Sequence, residues 1–201
     1  MSLCACSTNE STPQASLIKI VNERASLSDK AETYQLSAKY YFVLQELEPD
    51  NPSNYIGYVR ALRKAGDKLA FKKFINTIDL TSAVSKEQDF ILEVLFSMLS
   101  FNLDQEAESF LEKRSKYIGN SARLLWLRGA VNFNRGEINA AERNYQRCLA
   151  QDAENEPCIY DYALLLKRTN QGAKLEEFLR DRNKLDLLQK LEERRTTPKS
   201  P

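Results

Sequence analysis

The sequence predicts an all-α fold, a solenoid of about five helix pairs followed by a C-terminal capping helix. Gly and Pro are few, six of each in 201 residues, so little in the chain interrupts helices. Hydrophobic residues make up 42% of the chain and charged residues 28%, which allows a core beneath a soluble surface. The third observation is a period of about 34 residues in the signals that end helices.

The period is seen first in residues that commonly follow a helix. Four amphipathic segments end in Gly or Asn, at separations of 36, 34 and 34 residues, namely at Gly66, Asn102, Gly136 and Asn170. Gly and Asn tolerate the left-handed backbone conformation found just after a helix. A constant step between such residues indicates a repeated helical unit.

The apolar positions repeat with the same step. Helix pairs are expected to begin near Ile18, Pro52, Gln88, Ala122 and Glu156. The eighth position of each pair is small or aliphatic: Ala25, Val59, Leu95, Gly129 and Ala163. The twenty-fourth position is large and apolar: Tyr41, Ile75, Leu111, Tyr145 and Leu179. Two helices can meet closely at such places. A generic helical bundle is the alternative, but it has no reason to repeat its loop residues.

These residues resemble the tetratricopeptide repeat family. The resemblance is clearest in Gly129, Gly136, Ala141, Tyr145 and Asp152. The sequence Leu-Glu-Pro-Asp-Asn at 47–51 is similar to the family's repeat-closing turn. The resemblance covers roughly residues 18–182 and implies a right-handed superhelix that binds another protein.

The end of the repeat array is expected to carry a polar cap. Leu185, Leu188 and Leu191 form an apolar stripe among the charges of residues 183–195. We therefore assign residues 17–195 to the solenoid with its capping helix. Residues 1–16 are expected to be a flexible leader or tether, and residues 196–201 a disordered tail.

The composition excludes several chemistries. The chain has no His, which removes His-based acid–base catalysis, Ser-His-Asp and Cys-His nucleophiles, and His-containing metal sites. The net charge of +1 predicts no general attraction to nucleic acid. We expect no catalytic residues, no metal, no cofactor and no enzymatic activity; scattered Asp and Glu are the only support for an enzyme.

The amino-terminal sequence Leu3-Cys4-Ala5-Cys6 resembles a bacterial lipobox. The resemblance implies that Cys6 is lipidated and that the chain faces the periplasm from the outer membrane, with no other contact to a membrane. Only Met1 and Ser2 precede the box, so a cytoplasmic chain with two cysteines in its leader is the alternative.

Two further cysteines, Cys148 and Cys158, flank the turn between the fourth and fifth helix pairs. Their side chains can approach each other on antiparallel helices, and a disulfide is one reading. We expect instead two small buried thiols.

The family resemblance implies that the first helix of each pair lines a concave groove that holds a protein or peptide segment. The middle of this surface is apolar and aromatic, with basic residues on both sides. The expected contact residues are Ile56, Arg60, Arg63, Lys64, Leu92, Phe96, Trp126, Phe133, Tyr160, Leu164 and Lys167. The alternative is that Leu92 and Phe96 are ordinary core residues.

The function expected from these features is that of a protein-interaction scaffold. Short repeat lipoproteins of this kind resemble assembly factors of bacterial pili and secretion systems, including pilotin-like proteins and the tight-adherence pilus lipoprotein. The alternative is a cytosolic adaptor or chaperone that binds a segment of its partner.

Overall fold

The structure, a computed structural model, describes residues 12–78 and 82–193. Within these ranges every regular element is a helix, as the sequence predicts. Single turns of 3₁₀ helix lie at Val84–Lys86 and Ser115–Tyr117. The α-helices are α1 Pro13–Lys30, α2 Tyr34–Leu47, α3 Pro52–Lys64, α4 Lys68–Thr77, α5 Gln88–Ser100, α6 Asp104–Arg114, α7 Ala122–Asn134, α8 Ile138–Gln151, α9 Glu156–Arg168, α10 Gly172–Arg180 and α11 Asp186–Glu193.

The chain divides into two compact units at the turn between α5 and α6. Unit 1 ends at Phe101 and contains α1–α5, whereas unit 2 begins at Asn102 and contains α6–α11. The third predicted helix pair is therefore shared between the units. The sequence assigned residues 17–195 to one domain and carried no sign of this boundary.

The first helices begin where the repeat predicts, with one exception. The helices α3, α5, α7 and α9 start at the predicted Pro52, Gln88, Ala122 and Glu156. The helix α1 starts at Pro13 instead of near Ile18, because the Thr12 hydroxyl accepts a hydrogen bond from the Ala15 N–H at 3.3 Å. Residues 13–16 are therefore helical and do not belong to the leader. The rest of the leader and the tail lie outside the described residues.

A left-handed residue ends the first helix of every pair. Gly66, Asn102, Gly136 and Asn170 have φ angles of 71°, 53°, 79° and 56°. Glu32, with φ of 55°, completes the series 34 residues before Gly66. The sequence analysis missed Glu32 because glutamate does not favour this conformation. The Asp67 N–H donates to the Leu62 carbonyl at 3.0 Å, and the Glu137 N–H donates to the Asn132 carbonyl at 2.8 Å. These six-residue turns are typical of the Schellman motif.

The eighth position lies in the core, as predicted, whereas Tyr41, Ile75 and Leu111 at the twenty-fourth position are half-buried. All five residues at the eighth position are buried. In unit 2, Tyr145 and Leu179 at the twenty-fourth position are fully buried beside Leu125, Ile159 and Ala163. The ring of Tyr145 fills the space that a Cβ on Gly129 would need.

A disulfide joins Cys148 of α8 to Cys158 of α9, with their Cα atoms 6.7 Å apart. The expectation of two separate buried thiols is therefore wrong. Both side chains are fully buried in the core of unit 2, and the antiparallel α8 and α9 point them at the same place. The spacing alone could not show this, because it depends on how the two helices face each other.

The capping helix is present but uses a different stripe. Leu191 is buried, and Leu187 and Leu188 pack against the core of unit 2. Leu185 is 47% exposed and precedes α11, so its assignment to the stripe is wrong. Asn183 is left-handed with φ of 53°, and this turn delays the start of the helix to Asp186.

Candidate functional site

The two arginines predicted for the groove in unit 1 bind a buried carboxylate. Glu93 of α5 accepts hydrogen bonds from the guanidinium groups of Arg60 and Arg63 of α3, at 3.3 and 3.0 Å. The guanidinium of Arg63 also lies 4.5 Å from the centre of the Phe96 ring. These arginines therefore link α3 to α5. Only Arg60, with a side chain 48% exposed, presents much of its charge to solvent.

The predicted apolar centre of the groove is not open in unit 1. Leu92 is 2% exposed and belongs to the core, so its assignment to a binding surface is wrong. Phe96 lies beneath Arg63, and Ile56 is half-buried. The ammonium of Lys64 lies 4.8 Å from the centre of the Tyr34 ring, at the edge of this face. Leu92 is covered because most of α5 is enclosed; its exposed residues, Asp89 and Ser100, lie in its first and last turns.

A polar cluster fixes α1 to α2 within unit 1. The Tyr41 hydroxyl donates to Asp29 at 2.9 Å, and the Ser37 hydroxyl donates to the other oxygen of the same carboxylate. Burial, and then the hydrogen bond to Asp29, raise the pKa of Tyr41 to about 12. The Asp29 carboxylate therefore has a structural role.

The predicted residues of unit 2 form a separate group. The Trp126 indole N–H donates to the Asp161 carboxylate at 2.6 Å, linking α7 to α9. The guanidinium of Arg168 lies 5.2 Å from the centre of the Phe133 ring. The Lys167 ammonium donates to the Leu191 carbonyl and thereby holds the capping helix. The remaining predicted residues of this face, Tyr160 and Leu164, are half-buried against the core.

Exposed large apolar side chains lie elsewhere in unit 1, on α1, α2 and α4. Leu36, Phe42, Val43 and Leu69 are 44%, 51%, 41% and 81% exposed. A groove with a volume of about 580 Å³ lies between α2, α3 and α4. We call it the α2–α4 groove. Residues of all three helices line it, including Lys39, Phe42, Val43, Tyr58, Leu62 and Ala70. A second exposed apolar stripe, on α1, consists of Leu17, Ile20 and Leu27.

Tyr58 forms the aromatic floor of the α2–α4 groove beside Phe42, and a chain of further aromatic rings packs behind it. The Phe42 and Tyr58 rings are 6.0 Å apart, and Tyr58 meets Phe74 edge-on at 5.1 Å. Tyr55 continues the chain from Phe74 to Phe90 in the core, at 6.4 and 6.3 Å. Burial, and then the Asp67 carboxylate, raise the pKa of Tyr58. The floor is thus packed on the core and held in place before any partner binds.

The charged side chains beside the groove are mainly cationic. Lys39 lines it from α2 and is exposed. The charged residues of α4 are all lysines: Lys68, Lys72 and Lys73. Asp67 also lines the groove, but its carboxylate accepts the Ala70 N–H at 2.9 Å and caps α4.

The family resemblance implies a binding surface on the first helices, so it did not predict the α2–α4 groove, which two second helices help to form. One signal was available. Residues 40–43 read Tyr-Tyr-Phe-Val, and four consecutive large apolar residues extend more than halfway around a helix. One buried face cannot hold them all, so part of this run had to be exposed or covered by something else.

The described parts of the chain contain neither a cluster of metal ligands nor a membrane-spanning helix. In residues 12–78 and 82–193 there is no group of three or more Cys, Asp or Glu side chains that could hold a metal ion. In the same ranges no helix combines the length and apolar character needed to cross a membrane.

Comparison with known proteins identifies the fold. No protein-family model and no curated protein matches the sequence. A solved structure of MamA from Desulfovibrio magneticus RS-1, residues 41 to the end, matches with a TM-score of 0.64 and 14% identity. A double mutant of MamA matches with a TM-score of 0.63 and the same identity. Each match covers 90% of this chain and 97% of the other.

The fold is of the tetratricopeptide-repeat type. The predicted fold class, an all-α solenoid of helix pairs, is therefore confirmed. At 14% identity the likeness extends to the fold alone, so the function must be argued from this chain's own surface.

Proposed function

We propose that the chain is a protein-interaction scaffold and that the α2–α4 groove holds a segment of its partner. The observation that carries the proposal is the exposure of Phe42 and Val43 above a preformed aromatic floor. Contiguous apolar surface on a soluble protein commonly marks a contact surface. The repeat fold supports the same function, because stacked helix pairs create extended surfaces for partners.

The preformed floor favours binding. A surface that is already ordered loses little conformational entropy when a partner binds. Phe42 rests on Tyr58, which rests on Phe74, so the groove is shaped by contacts within unit 1. Large aromatic residues of this kind commonly supply much of the binding energy at an interface.

Site-specific photocrosslinking in the native host tests the proposal. A photoreactive amino acid at Val43 should give defined adducts that disappear when Phe42→Glu is introduced. The matched control is the same amino acid at Leu185, which is 47% exposed in unit 2 and remote from the groove in sequence. Adducts of equal yield at both positions, or none at Val43, would contradict the proposal.

The second part of the proposal concerns location. We propose a chain lipidated at Cys6, on the periplasmic side of the outer membrane, that aids the assembly of a pilus or secretion machine. The sequence around Cys6, which lies outside the described residues, is one support. The Cys148–Cys158 disulfide is another, because structural disulfides persist mainly in oxidising compartments.

Mass spectrometry of the protein isolated from its host's membrane fraction tests this location. A chain acylated at Cys6 with an intact Cys148–Cys158 bond is the expected result. A soluble, unmodified chain with reduced Cys148 and Cys158 would contradict the location and favour a cytosolic adaptor. The proposal of a binding groove does not depend on this outcome.

A further inference from the structure

We infer that the partner segment in the α2–α4 groove is an amphipathic helix with acidic residues beside its apolar face. The inference rests on the proposed function, since it assumes that this groove is the place where the partner binds. Three features of the groove lead to it: the nature of its walls, its length and its charge.

The walls of the groove favour a helix over a strand. They are α-helices, whose backbone groups bond within each helix and leave no open edge for an added strand. A segment bound here receives no backbone hydrogen bonds from a strand edge. A helix satisfies its own backbone hydrogen bonds along its whole length.

The length of the groove sets the number of contacts. Its lining on α2 extends from Gln35 to Val43, which is about 12 Å along the helix axis. This distance corresponds to about two turns of a bound helix. Such a helix presents apolar side chains at positions i, i+3 or i+4, and i+7 on one face. These are the positions expected to contact Phe42, Val43 and Leu62.

The charge beside the groove selects acidic flanks. Lys39 lines the groove, and Lys73 of α4 lies three residues after the lining residue Ala70; both are exposed, and α4 contains no Asp or Glu. The one carboxylate in the lining, that of Asp67, keeps its charge but is held at the start of α4 by the Ala70 N–H. Carboxylates on the bound helix would meet these lysines, whereas lysines there would be repelled.

Selection from a phage-displayed library of random 14-residue peptides tests the inference. The target is the purified full chain, and the Phe42→Glu variant serves to discard peptides that bind elsewhere. We expect apolar residues with helical spacing, flanked by Glu or Asp. Circular dichroism of the selected peptide with the chain should show a gain of helix.

Binding measurements on one selected peptide then test the role of charge. Replacing its Glu residues with Lys should weaken binding at least tenfold. The Lys39→Glu/Lys73→Glu chain should reverse this preference, and both substitutions are at exposed positions, so the fold should be retained. Fluorescence anisotropy measures the affinities, and the thermal unfolding curve of each variant confirms its fold.

The outcomes separate this inference from the proposed function. Groove-binding peptides that are basic, or extended and rich in proline, would overturn the acidic helix and leave the groove as a binding site. Peptides that bind the Phe42→Glu variant equally well, or the absence of any enriched peptide, would overturn both. A Glu-to-Lys peptide that binds unchanged would also overturn the inference.

Discussion

Gly129 has no side chain, and the ring of the buried Tyr145 fills the space beside its Cα atom. This single contact explains why the eighth position of the fourth pair is glycine. Tyr41 and Gly57 make the same kind of contact between the first and second pairs. At the residue scale, two close helix–helix contacts are thus tyrosine rings packed against glycines.

Replacing Gly129 with Ala should lower the free energy of unfolding by about 1–3 kcal/mol, the usual cost of overpacking a core. The sign is informative, because Gly→Ala in an unobstructed helix stabilises by about 1 kcal/mol. Denaturant unfolding measures the difference. Gly172→Ala is the control, since a Cβ there meets nothing within 4 Å. Similar stabilisation in both variants would refute the contact.

Asp161 gives a prediction on pH. Burial raises its pKa, and the hydrogen bond from Trp126 opposes the rise. The folded state therefore binds a proton more readily than the unfolded state, and the charged carboxylate costs stability above the raised pKa. Asp161→Asn keeps an acceptor for the indole and should raise the melting temperature at pH 7.

The gain from Asp161→Asn should shrink as the pH falls through the raised pKa of Asp161, because the wild-type carboxyl is then neutral as well. Melting temperatures between neutral and acid pH measure this. The exposed Asp186 is the control, because its hydrogen bond with Lys190 lowers its pKa. Asp186→Asn should therefore give no gain at pH 7. A gain for Asp161→Asn that is constant with pH would contradict the account.

At the scale of elements, a buried carboxylate holds α3 to α5. Glu93 is 3% exposed and serves two arginines, so Glu93→Gln leaves both guanidinium groups without a counter-charge. We expect a loss of about 1–3 kcal/mol in the free energy of unfolding, typical of a buried hydrogen-bond partner removed. Arg63→Met should cost more than Arg60→Met, because Arg60 is the more exposed of the two.

The exposed Glu46 of α2 provides a control for Glu93. Glu46→Gln should change the free energy of unfolding by no more than about 0.5 kcal/mol, as expected for a surface substitution. Urea unfolding of the four variants tests the series. Equal effects of Glu93→Gln and Glu46→Gln would show that the carboxylate does not link the two helices.

The elements that could be predicted from the sequence are those fixed by local signals. The starts of α3 and α9 follow from an Asn cap and a proline in the first turn, Asn51-Pro52 and Asn155 with Pro157. The turn at Glu32 could not be predicted from the residue type, because glutamate rarely adopts the left-handed conformation that the 34-residue period places there. The assignment of Leu185 to the apolar stripe was wrong because the turn at Asn183 moves the start of the helix beyond Leu185.

At the scale of the whole molecule, the repeat predicted the fold but not the surface. Apolar residues surround α5, which is typical of a buried helix and indicates a covered Leu92, but which elements cover it depends on packing between helices. The α2–α4 groove likewise depends on how three consecutive helices pack against one another. The disulfide between Cys148 and Cys158 and the division after Phe101 also depend on packing between elements.

The central claim is that the α2–α4 groove is covered by a partner in the cell. Thiol labelling measures this directly, with Val43→Cys in the groove and Leu185→Cys as control, two positions of similar exposure. Site-resolved mass spectrometry compares maleimide labelling of the purified chain with labelling in the native host. We predict that position 43 is protected in the host and position 185 is not. Equal labelling of position 43 in both settings would contradict the claim.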